Sequence, residues 1–387
     1  MTDTMMALRK FVAPEFVFGT GSRKLVARYA KLYGAHRALL VTDPGLIAAG
    51  WAGEVEAVLA EEDIRCTRFA EISPNPRDHE VMKGAAIFLE NRCDIIVCVG
   101  GGSVMDCGKG IGVVTASGRH ILDFEGIDQI VKPAPPLICV PTTAGTSADV
   151  SQFAIITDTE ERAKIAIISK AVVPDISLID PETLVTKNAY LTACTGIDVL
   201  VHAVEAFVSV AHSPVTDLHA LEAVRLIHEN LHASITRPHD IELRQRVMLA
   251  SLHAGLAFSN ASLGAVHAMA HSLGGYKDLP HGECNALLLD RVMAFNFDTE
   301  PERFTKIGEV MGIDLRGMTL KTRRRKILDV VAEFRCTAGV IGTLGDRRIR
   351  TDDVIELARK AVVDPCMVTN PRRAKAADIQ AVYEEAL

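Results

Sequence analysis

The sequence predicts two domains of different class: an α/β domain with a parallel sheet over residues 1–182 and an all-helical domain over residues 183–387. Three observations carry this. At 387 residues the chain exceeds the usual size of one hydrophobic core. From Arg37 to about Asp180, short β-rich runs alternate with helical patterns, as in strands joined by crossover helices. Beyond Asp180-Pro181 the β-branched runs thin out, and long Ala/Leu/His/Glu segments continue to the C-terminus.

Each element follows in order. FVAPEFVFGTGS (residues 11–22) reads as an edge strand, where its proline is tolerated. RALLVTD is a strand, GWAGEVEAVLAEE a helix, RCTRFA a strand, RDHEVMKGAAIFLENR a helix and DIIVCVGGGS a strand, with a further helix from about Val104. IIVCV and LICV are apolar on both faces, which suits strands covered by helices on both sides of a sheet. In the second half Thr192, Pro214, Asn230, Pro238, Gly274-Gly275, Pro280, Gly312 and Pro365 punctuate the helices.

Composition narrows the class of function. With 48% hydrophobic and 24% charged residues the chain is a soluble globular protein with a large interior, filled by aliphatic side chains because aromatics are only 5%. A net charge of −7 disfavours nucleic acid and anionic membrane as partners. The local basic runs, Lys321 to Lys326 and Arg347, Arg348 and Arg350, read as solvated surface. Nine cysteines without a CxxC pair suit reduced thiols in a cytoplasmic protein. The N-terminal MTDTMMALRK has no export signal, and no uninterrupted apolar stretch is long enough to span a bilayer.

TGIDVLVHAVEAF places Asp198 and His202 four apart, hence on one helix face, and GAVHAMAHSLGGYKDLPHGECNA adds His267, His271 and His281. Ten of the 13 histidines lie between His202 and His281, so some helical spacings arise by chance. His212, His219, His228, His232, His239 and His253 read as ordinary core or surface residues. Asp198 stands apart because it interrupts an apolar run, where an unpaired carboxylate is costly and a cation relieves the cost. Asp198 and His202, with His267 on a second helix and His281 in the Pro-Gly loop beyond it, form a candidate three-nitrogen, one-oxygen site for Fe(II) or Zn(II).

Two strand ends carry candidate cofactor contacts. Gly100, Gly101 and Gly102 follow a buried strand and open a helix, so the backbone can approach a phosphate; the alternative is a plain tight turn. At another strand end VPTTAGTSADVS presents Thr142, Thr143 and Thr146, which either meet a ligand or close an ST-turn. Asp43, in VTDPG, either accepts hydrogen bonds from an adenosine ribose, which favours NAD over NADP, or forms an Asx-turn before Pro44.

Together these motifs resemble the iron-containing (group III) alcohol dehydrogenase family over nearly the whole chain. The matching runs are GGGSxxDxxK (Gly100 to Lys109), PTTAGT (Pro141 to Thr146), TGxDxLxHAxEAxxS (Thr195 to Ser209) and GxxHAxAHxLG through PHGxxNA (Gly264 to Ala286). The resemblance implies a dehydroquinate-synthase-like fold, a nucleotide-binding α/β domain followed by a helical metal-binding domain. It implies Asp198, His202, His267 and His281 as ligands of iron, with zinc as the alternative, and His271 beside the metal as the catalytic proton carrier. Asn75, Ser103, Asp106 and Lys164 join the cofactor contacts on the same ground, and Phe258, Leu263 and Cys366 become an apolar substrate pocket. The implied reaction is NAD-linked interconversion of short-chain primary alcohols and aldehydes in a homo-oligomer.

The PTTAGT run continues Ser147-Ala148-Asp149-Val150-Ser151 where the family commonly has Gly-Ser-Glu-Val-Thr. That variant is similar to a subgroup of alcohol-dehydrogenase-like regulators of ethanol oxidation, so a weakly catalytic regulator is one rival reading. A polyol dehydrogenase on the same scaffold is another.

Overall fold

The computed structural model describes residues 10–387, so nearly all of the N-terminal segment read above for export signals lies outside the described residues. The strands are β1 (Glu15–Phe18), β2 (Arg37–Val41), β3 (Arg65–Phe69), β4 (Ile95–Gly100), β5 (Gly126–Ile127), β6 (Leu137–Pro141), β7 (Phe153–Asp158), β8 (Ala163–Ile168) and β9 (Ile176–Ile179). Six form one sheet in the order β1-β9-β6-β4-β2-β3, and every pairing in it is parallel. β1 is an edge strand, paired only with β9. β4 and β6 are buried along their whole length, as their two-sided apolar pattern requires.

The crossovers run through α1 (Val26–Leu32), α2 (Pro44–Ala48), α3 (Trp51–Glu61), α4 (Asp78–Glu90) and α5 (Gly102–Ser117). After β2 the chain adds β3 on one side and then β4 on the other. Chain direction therefore switches between β2 and β4, and the crevice beyond their carboxyl ends is where open α/β sheets bind ligands. Asp43 and the triple glycine lie at those two ends.

A second, three-stranded sheet, β5-β8-β7, was not read from the sequence. Its β7–β8 hairpin is antiparallel, and it interrupts the simple alternation expected up to Asp180.

The helices of the second half are α6 (Ala189–Val208), α7 (Pro214–Thr236), α8 (Ile241–Ala261), α9 (Ala265–Lys277), α10 (His281–Asn296), α11 (Pro301–Val310), α12 (Leu320–Thr337), α13 (Thr351–Val362) and α14 (Ala376–Ala386). α6 packs against α7, α8 and α10 and is the buried axis of this half. At 20 residues it is long and apolar enough to cross a bilayer by length and composition, but Asp198, His202 and Glu205 interrupt its apolar run and it is buried as a core helix.

Several boundaries differ from the sequence reading. α5 starts at Gly102, and α6 starts at Ala189 because the Asn188 side chain caps it, three residues ahead of the expected Thr192. Gly274-Gly275 lies inside α9, with Gly275 against the backbone of β8 at Ala163 and Lys164 and Gly274 against the Lys164 side chain, so these glycines permit close packing and do not end the helix. His281 is the first residue of α10, not part of a loop. Arg347, expected in solvent, is only 19% exposed and forms an ion pair with the buried Glu283 at 2.8 Å.

Candidate metal and cofactor site

α6 presents Asp198, His202 and Glu205 to the interior, and all three are nearly inaccessible to solvent. α9 brings His267 and the start of α10 brings His281, so that donor atoms of Asp198, His267 and His281 lie within 4.8 Å of one another. His267 Nε2 is 3.8 Å from Asp198 Oδ1, and His202 Nδ1 is 4.0 Å from Asp198 Oδ2. The His202 ring stacks between His267 and Phe258, with centroids 4.5 and 4.3 Å away.

The point where the donors converge is marked by the Asn285 carboxamide. Its Nδ2 donates to Asp198 Oδ1 at 2.6 Å and lies 3.2 Å from Nε2 of both His267 and His281. Asn285 Oδ1, His202 Nδ1 and His281 Nδ1 remain buried with no hydrogen-bond partner among the described residues. Each such atom costs about 1–3 kcal/mol, and a cation drawing on the imidazoles and the carboxylate relieves that cost. Burial pushes His202 down to about 4 and His267 down to about 3, and it holds His281 well below the usual imidazole range. The imidazoles are therefore neutral, with lone pairs available to a metal. Asp198, His267 and His281 converge, and His202 stands next to Asp198 one helical turn on; together these three nitrogens and one carboxylate fit a borderline divalent ion such as Fe(II) or Zn(II).

Two carboxylates that the sequence reading missed hold the histidines. Glu205 Oε2 accepts from His267 Nδ1 at 2.6 Å, and its Oε1 accepts from the Val266 amide, also at 2.6 Å. Glu205 lies seven residues after Asp198, on the same helix face, so a local signal existed. In Glu205→Gln an NH₂ must face one of these two donors in either amide orientation. We expect its metal affinity to fall about 10–100-fold in competition with a chromophoric chelator, and an unchanged affinity would show that Glu205 does not orient His267.

The second carboxylate, Asp364, sits 2.9 Å from His271 Nδ1, and its Oδ1 accepts from the Cys366 amide at 2.8 Å. It lies 93 residues from His271, and nothing local announces it. His271 stacks on His281 with centroids 5.3 Å apart, and so stands beside the donor cluster.

A cleft of about 530 Å³ opens at the switch between β2 and β4. Asp43, Asn75, Gly101, Gly102, Ser103, Thr143 and Thr146 line it, and Asp198 and His281 form its inner end. Asp43 also caps α2, its Oδ1 accepting from the Leu46 amide at 3.1 Å, which is the turn-forming alternative read from VTDPG, and the residue lines the cleft as well. Gly100 and Thr142 do not line the cleft. Gly100 is the last residue of β4, its carbonyl accepting from the Thr142 amide at 2.9 Å, and the Thr142 hydroxyl is buried. Side chains alternate along a strand end, so the neighbour Thr143 faces the cleft instead. Lys109, from the glycine motif, is buried behind it and donates to the carbonyls of Ser151 (3.0 Å) and Phe153 (2.6 Å), a bracing role.

The inner end of the cleft meets a smaller cavity of about 100 Å³. Phe258 and Leu263 line it, with His202, His267, His271 and His281. Cys366 does not; its thiol is near His271 and Asp364. The lining is not purely apolar as expected, since Asp106, Ser151 and Lys164 also face it. Burial pushes the Asp106 carboxyl up to about 6 and lowers the Lys164 ammonium, whose Nζ donates to Asn75 Oδ1 at 2.7 Å.

Residues 13–181 match the family model for iron-containing alcohol dehydrogenase, and residues 192–387 match that for the C-terminal part of the Fe-containing alcohol dehydrogenase family. The chain is 39% identical to the 1,3-propanediol dehydrogenase of Klebsiella pneumoniae over 95% of its own length and 96% of the relative's. It is 36% identical to the NAD-dependent methanol dehydrogenase of Bacillus methanolicus, covering 97% of this chain and 99% of the other. Among solved structures, a 1,3-propanediol oxidoreductase superposes with a TM-score of 0.96 at 38% identity, covering 98% of this chain and all of that one.

Proposed function

The chain belongs to the iron-containing alcohol dehydrogenase family, and on that premise we propose that it interconverts short-chain primary alcohols and aldehydes by hydride transfer to and from NAD. One observation carries the reading: Asp198, His267 and His281 converge where the wide cleft meets the small cavity, so cofactor and substrate would meet at a metal.

Asp198, His202, His267 and His281 would hold Fe(II), and Zn(II) would compete for the same nitrogens and oxygen. When bound, such an ion supplies Lewis acidity at the alcohol oxygen. The amides of Gly101, Gly102 and Ser103 at the N-terminus of α5 take the pyrophosphate, with Thr143 and Thr146 opposite and Asp43 at the adenosine ribose. Gly100 and Thr142 support this cradle through their backbone pairing. Asn75, Asp106 and Lys164 face the nicotinamide end, next to the small cavity. His271, fixed through Nδ1 by Asp364, has its other nitrogen free to carry the alcohol proton towards solvent. Phe258 and Leu263 exclude water from the reacting carbon. Cys366 contributes from behind, where its amide holds Asp364.

A cavity of about 100 Å³ suits a substrate of a few heavy atoms, and its mixed lining brings a short diol within range alongside a monofunctional alcohol. With a division at 182/183 the metal-type donors all lie in the second domain, while the cofactor cleft is lined from both. We further propose a cytoplasmic homo-oligomer that acts on a small molecule and uses no nucleic acid or membrane. Nine unpaired cysteines support the compartment, and the net charge of −7 supports the partner class.

The test is an anaerobic NAD-reduction assay with ethanol, 1-butanol and 1,3-propanediol, with bound metal determined on the same sample. Turnover should disappear on chelation and return with Fe(II). A fully metallated protein that binds NAD, yet oxidises none of these alcohols and reduces none of their aldehydes, would refute the reading.

A further inference from the structure

Lys187 is the single lysine or arginine facing the wide cleft, and its ammonium makes no hydrogen bond or ion pair among the described residues. Its backbone is fixed. The Lys187 amide donates to the Leu184 carbonyl at 3.1 Å, and the preceding Thr186 hydroxyl accepts from the Trp51 indole at 3.0 Å. The flexible stem therefore leaves a rigid turn and carries its charge into the cleft beside Thr143 and Thr195. Burial lowers this ammonium's pKa, and the one opposing influence is the carboxylate of Asp43.

Asp43 cannot move away freely, because its Oδ1 caps α2. Alone, a fixed carboxylate at the adenosine ribose repels a second phosphate there, which is the basis for expecting NAD over NADP. Here an unpaired cation shares that end of the cleft. It offsets the carboxylate, and its three donors are free for an anion.

We propose that Lys187 sets cofactor selectivity by receiving a phosphate on the adenosine ribose, so that the protein accepts NADP(H) alongside NAD(H). The proposal rests on the reading of the cleft as a nicotinamide dinucleotide site.

Calorimetric titration of the purified protein with 5′-AMP and with adenosine 2′,5′-bisphosphate tests both without relying on turnover. The wild type is expected to bind the two within about tenfold of each other. Lys187→Met should lower the affinity for the bisphosphate at least about tenfold more than that for 5′-AMP, and Lys187→Arg should restore the ratio. Parallel steady-state assays should show the same change in the ratio of kcat/KM for NADP to that for NAD. A wild type that binds 5′-AMP but rejects the bisphosphate overturns the proposal and leaves the NAD reading standing. So does a Lys187→Met variant that weakens both ligands equally, or neither. Failure of both ligands to bind the wild type overturns the cofactor reading and the proposal with it.

Discussion

His267→Ala is expected to leave the purified protein without stoichiometric metal and to lower kcat/KM for alcohol oxidation by about 10³-fold or more. His267 occupies the centre of the donor cluster. Its Nε2 is 3.2 Å from the Asn285 amide nitrogen and 3.8 Å from Asp198, while its Nδ1 is held by Glu205 at 2.6 Å. Removing the ring deletes one donor and strands a buried carboxylate, which costs about 3–5 kcal/mol of stability. The loss of activity is far larger than that destabilisation can explain if the variant still folds. Affinity for 5′-AMP reports folding independently, because the adenosine end of the cleft is built by β2, β4 and the loops that follow them. Retained 5′-AMP binding with lost metal and lost turnover is the expected result. A variant with wild-type metal content and turnover would remove His267 from the site.

Gly102→Val should weaken NAD binding by about tenfold to hundredfold while leaving metal content intact. Gly102 is the first residue of α5, and a Cβ placed there would come within 2.7 Å of Thr146 Cγ2 and 2.9 Å of Thr146 Oγ1. No side chain fits between the glycine loop and the threonine loop. Relieving such overpacking costs about 1–3 kcal/mol and must displace one of the two loops that line the cleft. Gly102→Ala should show the same direction with a smaller effect. The measurement is NAD affinity by calorimetry, with bound metal determined in parallel. Unchanged NAD affinity in the valine variant would show that the cofactor does not lie between these loops.

Much of the architecture was legible because its determinants are local. Strand alternation, two-sided apolar runs and the four-residue spacing of Asp198 and His202 each depend on a helical or strand period acting within one segment. The same reasoning misplaced features that a cap or a packing contact decides. Asn188 starts α6 early by capping it, and Gly274-Gly275 continues α9 because the helix passes close to β8. Among the threonines, spacing could not tell Thr142 from Thr143, since only the register of β6 against β4 determines which faces the cleft.

The sequence by itself determined the division into a parallel-sheet half and a helical half, the shared helix of Asp198 and His202, and the glycine turn at a strand end. These are properties of segments, and a segment's period and chemistry can be read without knowing its neighbours. The tertiary structure alone decided which groups stand against these side chains. It placed Asp364 against His271 across 93 residues and Asn285 where Asp198, His267 and His281 converge. It also joined the two cavities at the donor cluster and turned Lys187 towards the Asp43 end of the cleft. Such contacts follow from how whole helices and sheets pack, and no local period encodes that.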